Sequence, residues 1–115
     1  MKIKIFFVLL FLIVLVGINY NYTKESEKMN WNNLSKERIE LGLPLLIVKG
    51  SKGFLACGYI NAETCNKTNE ACAIVSGVKT HNDMVNAEIK IVSKKAEELG
   101  VKVGMKGQAA LELFR

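Results

Sequence analysis

The sequence predicts an α+β fold: a small, mostly antiparallel sheet of three or four strands, with one long amphipathic helix packed on one face and an N-terminal hydrophobic helix in front. Three observations lead there. Two apolar runs, residues 45–49 and 54–60, flank the turn Gly50-Ser51-Lys52-Gly53, which is a hairpin pattern. Val85, Ile89, Val92, Ala96 and Leu99 stand at offsets 0, 4, 7, 11 and 14, which places them on one stripe of a helix. Residues 5–18 carry no charge and are almost wholly aliphatic or aromatic.

The apolar leader comes first. Lys2 and Lys4 precede it, and Asn19, Tyr20, Asn21 and Tyr22 follow. Lysine stems can snorkel and tyrosines favour the interface, so residues 3–22 give about 30 Å of helix at ~1.5 Å per residue, enough for one span. Residues 1–22 are therefore expected to be a transmembrane signal anchor, 23–33 a polar linker and 34–115 the globular domain, with the chain in the membrane. Leu15, Val16 and Gly17 make a poor signal-peptidase site, and no lipidation cysteine follows. The alternative start is Met29, which would leave a cytoplasmic protein. Lysines on both flanks leave the side of the membrane open.

The leader also distorts the averages. The chain of 115 residues is 50% apolar with a net charge of +5. Beyond residue 28, however, 12 basic groups face 9 acidic ones, an excess of only +3. A domain of that charge, with few aromatics and with its lysines interleaved with acids, offers no stacking platform for nucleic acid. Its length excludes a multidomain enzyme.

Within the domain, Pro44 suits the first residue of a strand. Asn61 is placed to cap a short helix through Lys67, and Ala71 to Val75 reads as a third buried strand. Thr80, with Asp83 three positions on, resembles a capping box that opens the long helix. The competing reading takes residues 88–92 as a strand, because Ile89, Ile91 and Val92 are β-branched. Gly100 is a natural helix stop. Val101 and Val103 read as an extended link, and residues 108–113 as a final helix.

The string Gly42-Leu43-Pro44-Leu45-Leu46-Ile47-Val48-Lys49-Gly50-Ser51-Lys52-Gly53-Phe54-Leu55-Ala56-Cys57-Gly58-Tyr59-Ile60-Asn61 resembles the signature of the YunC-like domain-of-unknown-function family. Ala73 to Thr80, Asp83-Met84, Asn86-Ala87, Gly104-Met105 and Gly107 before Ala110-Leu111 agree with its later landmarks in order. The resemblance covers about residues 41–115, excludes the leader, and implies a small α+β domain with no established activity. Lys106 departs from the pattern, since similar proteins tend to carry a serine or threonine there that caps the last helix.

Two constellations bear on chemistry. Cys57, Cys65, Cys72 and His81 lack the close ligand pairs of a structural zinc site, so no metal and no cofactor is expected. Ser76, Gly77, Lys79 and Thr80 form the candidate anion-binding site, where a glycine turn, an ammonium and a helix start come together without a Walker motif. The function read from this pattern is a membrane-tethered ligand- or protein-binding module. Its partners would be a small anionic ligand or a protein, with no nucleic acid and membrane contact through residues 3–22. A core this small also favours self-association as a homo-oligomer. The alternative is a small enzyme using Cys65, near a helix start, or Lys79 at the glycine-rich corner.

Overall fold

A computed structural model describes residues 29–115. Its elements are β1 (Ser35–Ile39), β2 (Leu45–Lys49), β3 (Phe54–Ala56), α1 (Ala62–Lys67), β4 (Cys72–Ile74), α2 (His81–Asn86), β5 (Ile91–Val92), α3 (Lys94–Glu98) and α4 (Gly107–Phe114). The strands form one sheet in sequence order, β1-β2-β3-β4-β5. All neighbours are antiparallel except β3 and β4, which run parallel. The α+β class holds, but the sheet is five-stranded and mixed. A parallel pair needs a crossover of a dozen or more residues, and the segment through α1 supplies it.

Strand alternation assigns the two faces. The pairs Ile47–Ala56, Phe54–Cys72 and Ala56–Ile74 lie on one face, and Val48–Leu55 and Leu55–Ala73 on the other. The first face meets α1: Ala56, Ala62, Cys65, Cys72 and Ile74 form a buried cluster, with Ile47, Phe54 and Ile60 packed against it. On the other face Leu46, Val48 and Leu55 meet α2 and α4, and Met84, Val85, Leu111 and Phe114 are almost fully buried. Helices therefore cover both faces, not one.

The hairpin, the Asn61 cap and the Thr80 cap stand where the sequence puts them. Asn61 Oδ1 accepts the Glu63 N–H at 2.8 Å, and Thr80 Oγ1 accepts the Asp83 N–H at 3.0 Å. Gly100 has φ +96, a left-handed conformation that ends α3 at low steric cost. Beyond Ala56 the run predicted as strand turns instead, with Ile60 N–H donating to the Cys57 carbonyl at 3.1 Å.

The long helix is the main correction. It is broken after Asn86, residues 91–92 join the sheet, and a second helix starts at Lys94. Ala73 pairs with Val92 and Ile74 with Ile91, so the exposed side of β4 gains a ladder that a continuous helix would have denied it. The strand reading of 88–92 was the closer one. Val85, Ile89 and Ala96 are buried as the stripe required, but from separate elements.

Among the described residues no helix is long and apolar enough to cross a membrane. This corrects the single-pass membrane localisation expected from the leader. The hydrophobic helix and span placed on residues 1–22, and the linker as far as residue 28, lie outside the described residues.

At the start of α4, Lys106 occupies the N-cap with no side-chain hydrogen bond. Lys106→Ser is expected to supply the missing acceptor and stabilise the fold by about 1 kcal/mol, read as a higher urea midpoint at unchanged slope.

Candidate functional site

The chain leaves the adjacent parallel strands β3 and β4 toward opposite faces of the sheet. After β3 it turns at Cys57–Ile60 into α1, and after β4 it passes through Ser76–Thr80 into α2. Between these two exits, closed on the third side by the β1–β2 connection, lies a cleft of about 240 Å³. Its lining is Leu43, Pro44, Cys57, Gly58, Tyr59, Gly77, Val78 and Lys79, so the walls are largely apolar and Lys79 brings the one ionic side chain.

Local hydrogen bonds hold these walls. Cys57 N–H donates to the Leu46 carbonyl at 3.1 Å, and Leu46 N–H donates to Cys57 Sγ at 3.3 Å. The Cys57 thiol is thus buried, outside any disulfide and engaged as an acceptor. Leu43 N–H reaches the Tyr59 hydroxyl at 3.4 Å, a long contact that joins two lips of the cleft. Gly77 has φ +70, so the chain reverses there at a conformation that L side chains rarely adopt.

The corner before α2 is clasped to β1. Arg38 Nη1 donates to the Lys79 carbonyl at 2.9 Å, while the His81 Nε2–H donates to the Glu37 carbonyl at 2.8 Å. Arg38 also binds Glu40, and that hydrogen bond, with the guanidinium charge, holds the exposed Glu40 carboxyl below the ordinary carboxylate range. A depressed carboxyl pairs at neutral pH and releases its partner as the pH falls through its folded value.

Of the four residues predicted as an anion site, Gly77 and Lys79 line the cleft, whereas Ser76 and Thr80 do not. The backbone donors at this corner are partly spent. Lys79 N–H donates to Asp83 Oδ2 at 3.0 Å and Asp83 N–H to Thr80 Oγ1, so the start of α2 already holds a carboxylate of its own. An arriving anion would meet that charge at the helix end. The Lys79 ammonium is different: it joins no ion pair among the described residues.

Sequence reasoning missed Leu43, Pro44 and Cys57 to Tyr59 as cleft residues. Only the strand order brings them to Lys79, although Gly58, inside the run read as a strand over 54–60, is a local turn signal. Cys65 is bonded to Cys72, with Cα atoms 6.4 Å apart, so the candidate nucleophile is not a free thiol. His81 is occupied at β1, and among the described residues no group of three or more histidine, cysteine or acidic side chains could hold a metal.

The family model described as a domain of unknown function, DUF1805, matches residues 56–114. The chain belongs to the DUF1805 family. The DUF1805 chain is 33% identical over 70 residues to the uncharacterized protein YunC of Bacillus subtilis, covering 57% of this chain and 69% of that relative. It is also similar to the crystal structure of a protein of unknown function, TA1206, from Thermoplasma acidophilum, with a TM-score of 0.62 and 33% identity over 71% of this chain and 93% of that one. The YunC-like resemblance in the sequence is confirmed. The family model begins at the last residue of β3, so the Cys57–Tyr59 and Gly77–Lys79 walls fall within it, while Leu43 and Pro44 precede it.

Proposed function

We propose that this DUF1805 domain is a binding module for a small ligand with an apolar body and a single anionic group, received in the cleft at the carboxyl ends of β3 and β4. The observation that carries the reading is topological. In open sheets with parallel strands, ligands settle where adjacent strands send their chains to opposite faces, because the two connections diverge and leave a crevice. Here β3 and β4 do so, and the crevice is lined by Leu43, Pro44, Tyr59 and Val78. Burying apolar ligand surface there supplies affinity at about 25 cal/mol per Å², and Lys79 orients the acidic end.

This reading shifts the anion contact away from the start of α2, where Asp83 already sits, to the Lys79 side chain. Ser76 and Thr80 then serve the corner rather than the ligand. Cys65 is held in a disulfide, and the cysteine of the cleft itself, Cys57, is buried with its sulfur accepting the Leu46 N–H.

Titration followed by backbone NMR tests the proposal with hexanoate, acetate and inorganic phosphate. Hexanoate is expected to give saturable shifts at Gly58, Tyr59, Gly77, Val78 and Lys79, with acetate and phosphate much weaker. Lys79→Ala should weaken hexanoate about fivefold and Lys79→Arg should largely retain it, since an exposed charge contact is worth at most about 1 kcal/mol. Shifts that are absent, or equal for phosphate and hexanoate, overturn the reading.

A further inference from the structure

The disulfide between α1 and β4 stands apart from the cleft chemistry, yet it supports one wall of the cleft. Cys65 and Cys72 form two of the five buried residues of the cluster under α1, the others being Ala56, Ala62 and Ile74. Ile47, Phe54 and Ile60 pack at its edge, and the covalent link ties α1 directly to β4 within it. The remaining ties are few: Asn66 Oδ1 accepts the Lys94 N–H at 2.8 Å, and Ala62 is the other buried residue of α1. Ile60, which packs on the same cluster, closes the turn that presents Gly58 and Tyr59 to the cleft.

Both cysteines are buried, but they differ in what they adjoin. Cys65 lines a solvent-open cavity of about 390 Å³ together with Tyr59, Asn61, Thr64 and Thr68. Cys72 does not line it and is fully buried. Exchange requires a thiolate to approach one sulfur along the S–S axis, so the cysteine that adjoins the cavity is the side from which reaction starts.

We propose that the Cys65–Cys72 disulfide is a thiol-exchange site, entered at Cys65 Sγ by a low-molecular-weight thiol, whose opening loosens α1 and the Gly58–Tyr59 wall of the cleft. In the first step the thiolate forms a new S–S bond to Cys65 Sγ as the Cys65–Cys72 bond breaks. The electron pair leaves on Cys72 Sγ, which then takes a proton. A second thiolate then bonds to the sulfur of the first as its bond to Cys65 Sγ breaks, and Cys65 leaves as a thiolate that takes a proton, so two external thiols become one disulfide while the protein disulfide becomes two thiols. Local opening of this kind draws on segments with few buried contacts, and the sheet and α4 remain folded.

The test uses the full chain without denaturant. A brief pulse of 2-mercaptoethanol, quenched with acid and mapped by mass spectrometry, is expected to place the mixed disulfide on Cys65. After full reduction with dithiothreitol, amide exchange over residues 58–67 should rise at least tenfold while Leu55, Met84 and Leu111 stay protected. Cys72→Ser should take one adduct from cystamine at Cys65, and Cys65→Ser none at Cys72 under the same conditions. If these variants do not fold, the pulse and exchange measurements on the unaltered chain decide alone. The proposal fails if the adduct maps to Cys72, if the disulfide survives until global unfolding, or if reduction leaves exchange over 58–67 unchanged. None of these readouts depends on a ligand, so they are independent of the fate of the binding reading.

Discussion

Ser93→Ala is expected to destabilise the domain by about 3 kcal/mol, far more than an ordinary serine substitution. Among the described residues Ser93 is the one fully buried polar side chain, and its hydroxyl is used three ways. Ser93 Oγ donates to the Glu70 carbonyl at 2.8 Å, accepts the Cys72 N–H at 2.9 Å, and accepts the Ala96 N–H at 3.3 Å as the cap of α3. At the start of β4 the Cys72 amide is buried and the Glu70 carbonyl part-buried, and each loses this partner in the alanine variant. A buried group left unpaired costs about 1–3 kcal/mol, and a lost cap about 1. Since a whole domain of this size holds only about 5–10 kcal/mol, the variant should unfold at a much lower urea concentration with unchanged slope. Amide exchange at Cys72 and Ala96 should accelerate first. A loss below about 1 kcal/mol would mean that water reaches both groups, contrary to the burial of this site.

Ser93 also shows where the sequence stopped being legible. Ser93 falls inside the helix that the apolar stripe predicts, yet Ser93 followed by Lys94-Lys95-Ala96-Glu97 is a helix-start pattern in its own right. The apolar stripe outweighed that local signal because its burial prediction is correct for Val85, Ile89 and Ala96. Three elements that share a core can reproduce the spacing of one helix. What distinguishes them is the demand of β4 for a partner on its open side, a tertiary fact with no local trace beyond the β-branched Ile89, Ile91 and Val92.

Other elements divide along the same line between local and tertiary causes. The hairpin and the Asn61 and Thr80 caps were legible because turn chemistry and side-chain capping act within a few residues. β1 was not legible: Ser35-Lys36-Glu37-Arg38-Ile39 is exposed throughout and has no alternation to reveal it. It is held by its ladder with β2 and by contacts with Lys79 and His81, more than 40 residues away. The candidate site was half legible for the same reason. Lys79 and Gly77 carried a recognisable strand-turn-helix signal, whereas their apolar counterparts meet them only through strand order. The disulfide left no readable spacing either, since one cysteine lies on a helix and the other on a strand.

Gly107→Ala is expected to cost about 3 kcal/mol or more, for a reason opposite to that of Ser93: the site has no room for an added atom. Gly107 is buried at the first position of α4, where it crosses α2, and its N–H donates to the Ala87 carbonyl at 2.9 Å. A β-carbon there would lie 2.1 Å from the Met84 carbonyl oxygen and 3.0 Å from Leu55 Cδ2. The first neighbour is backbone and cannot rotate away, so the helices must separate. Separation would uncover Ala110, Leu111 and Phe114 on α4, all fully buried. Overpacking in tight cores costs about 1–3 kcal/mol when side chains can adjust, and a rigid carbonyl places this case at the upper end. Helix propensity pulls the other way, because alanine is favoured over glycine in a helix by about 1 kcal/mol. The sign of the measured change therefore decides between contact and propensity. Gly58→Ala is the control: nothing lies within 4 Å of its added carbon and its φ is not positive, so its midpoint should stay within about 0.5 kcal/mol of the unaltered chain. If Gly107→Ala matched that control or gained stability, the close crossing of α2 and α4 would be wrong.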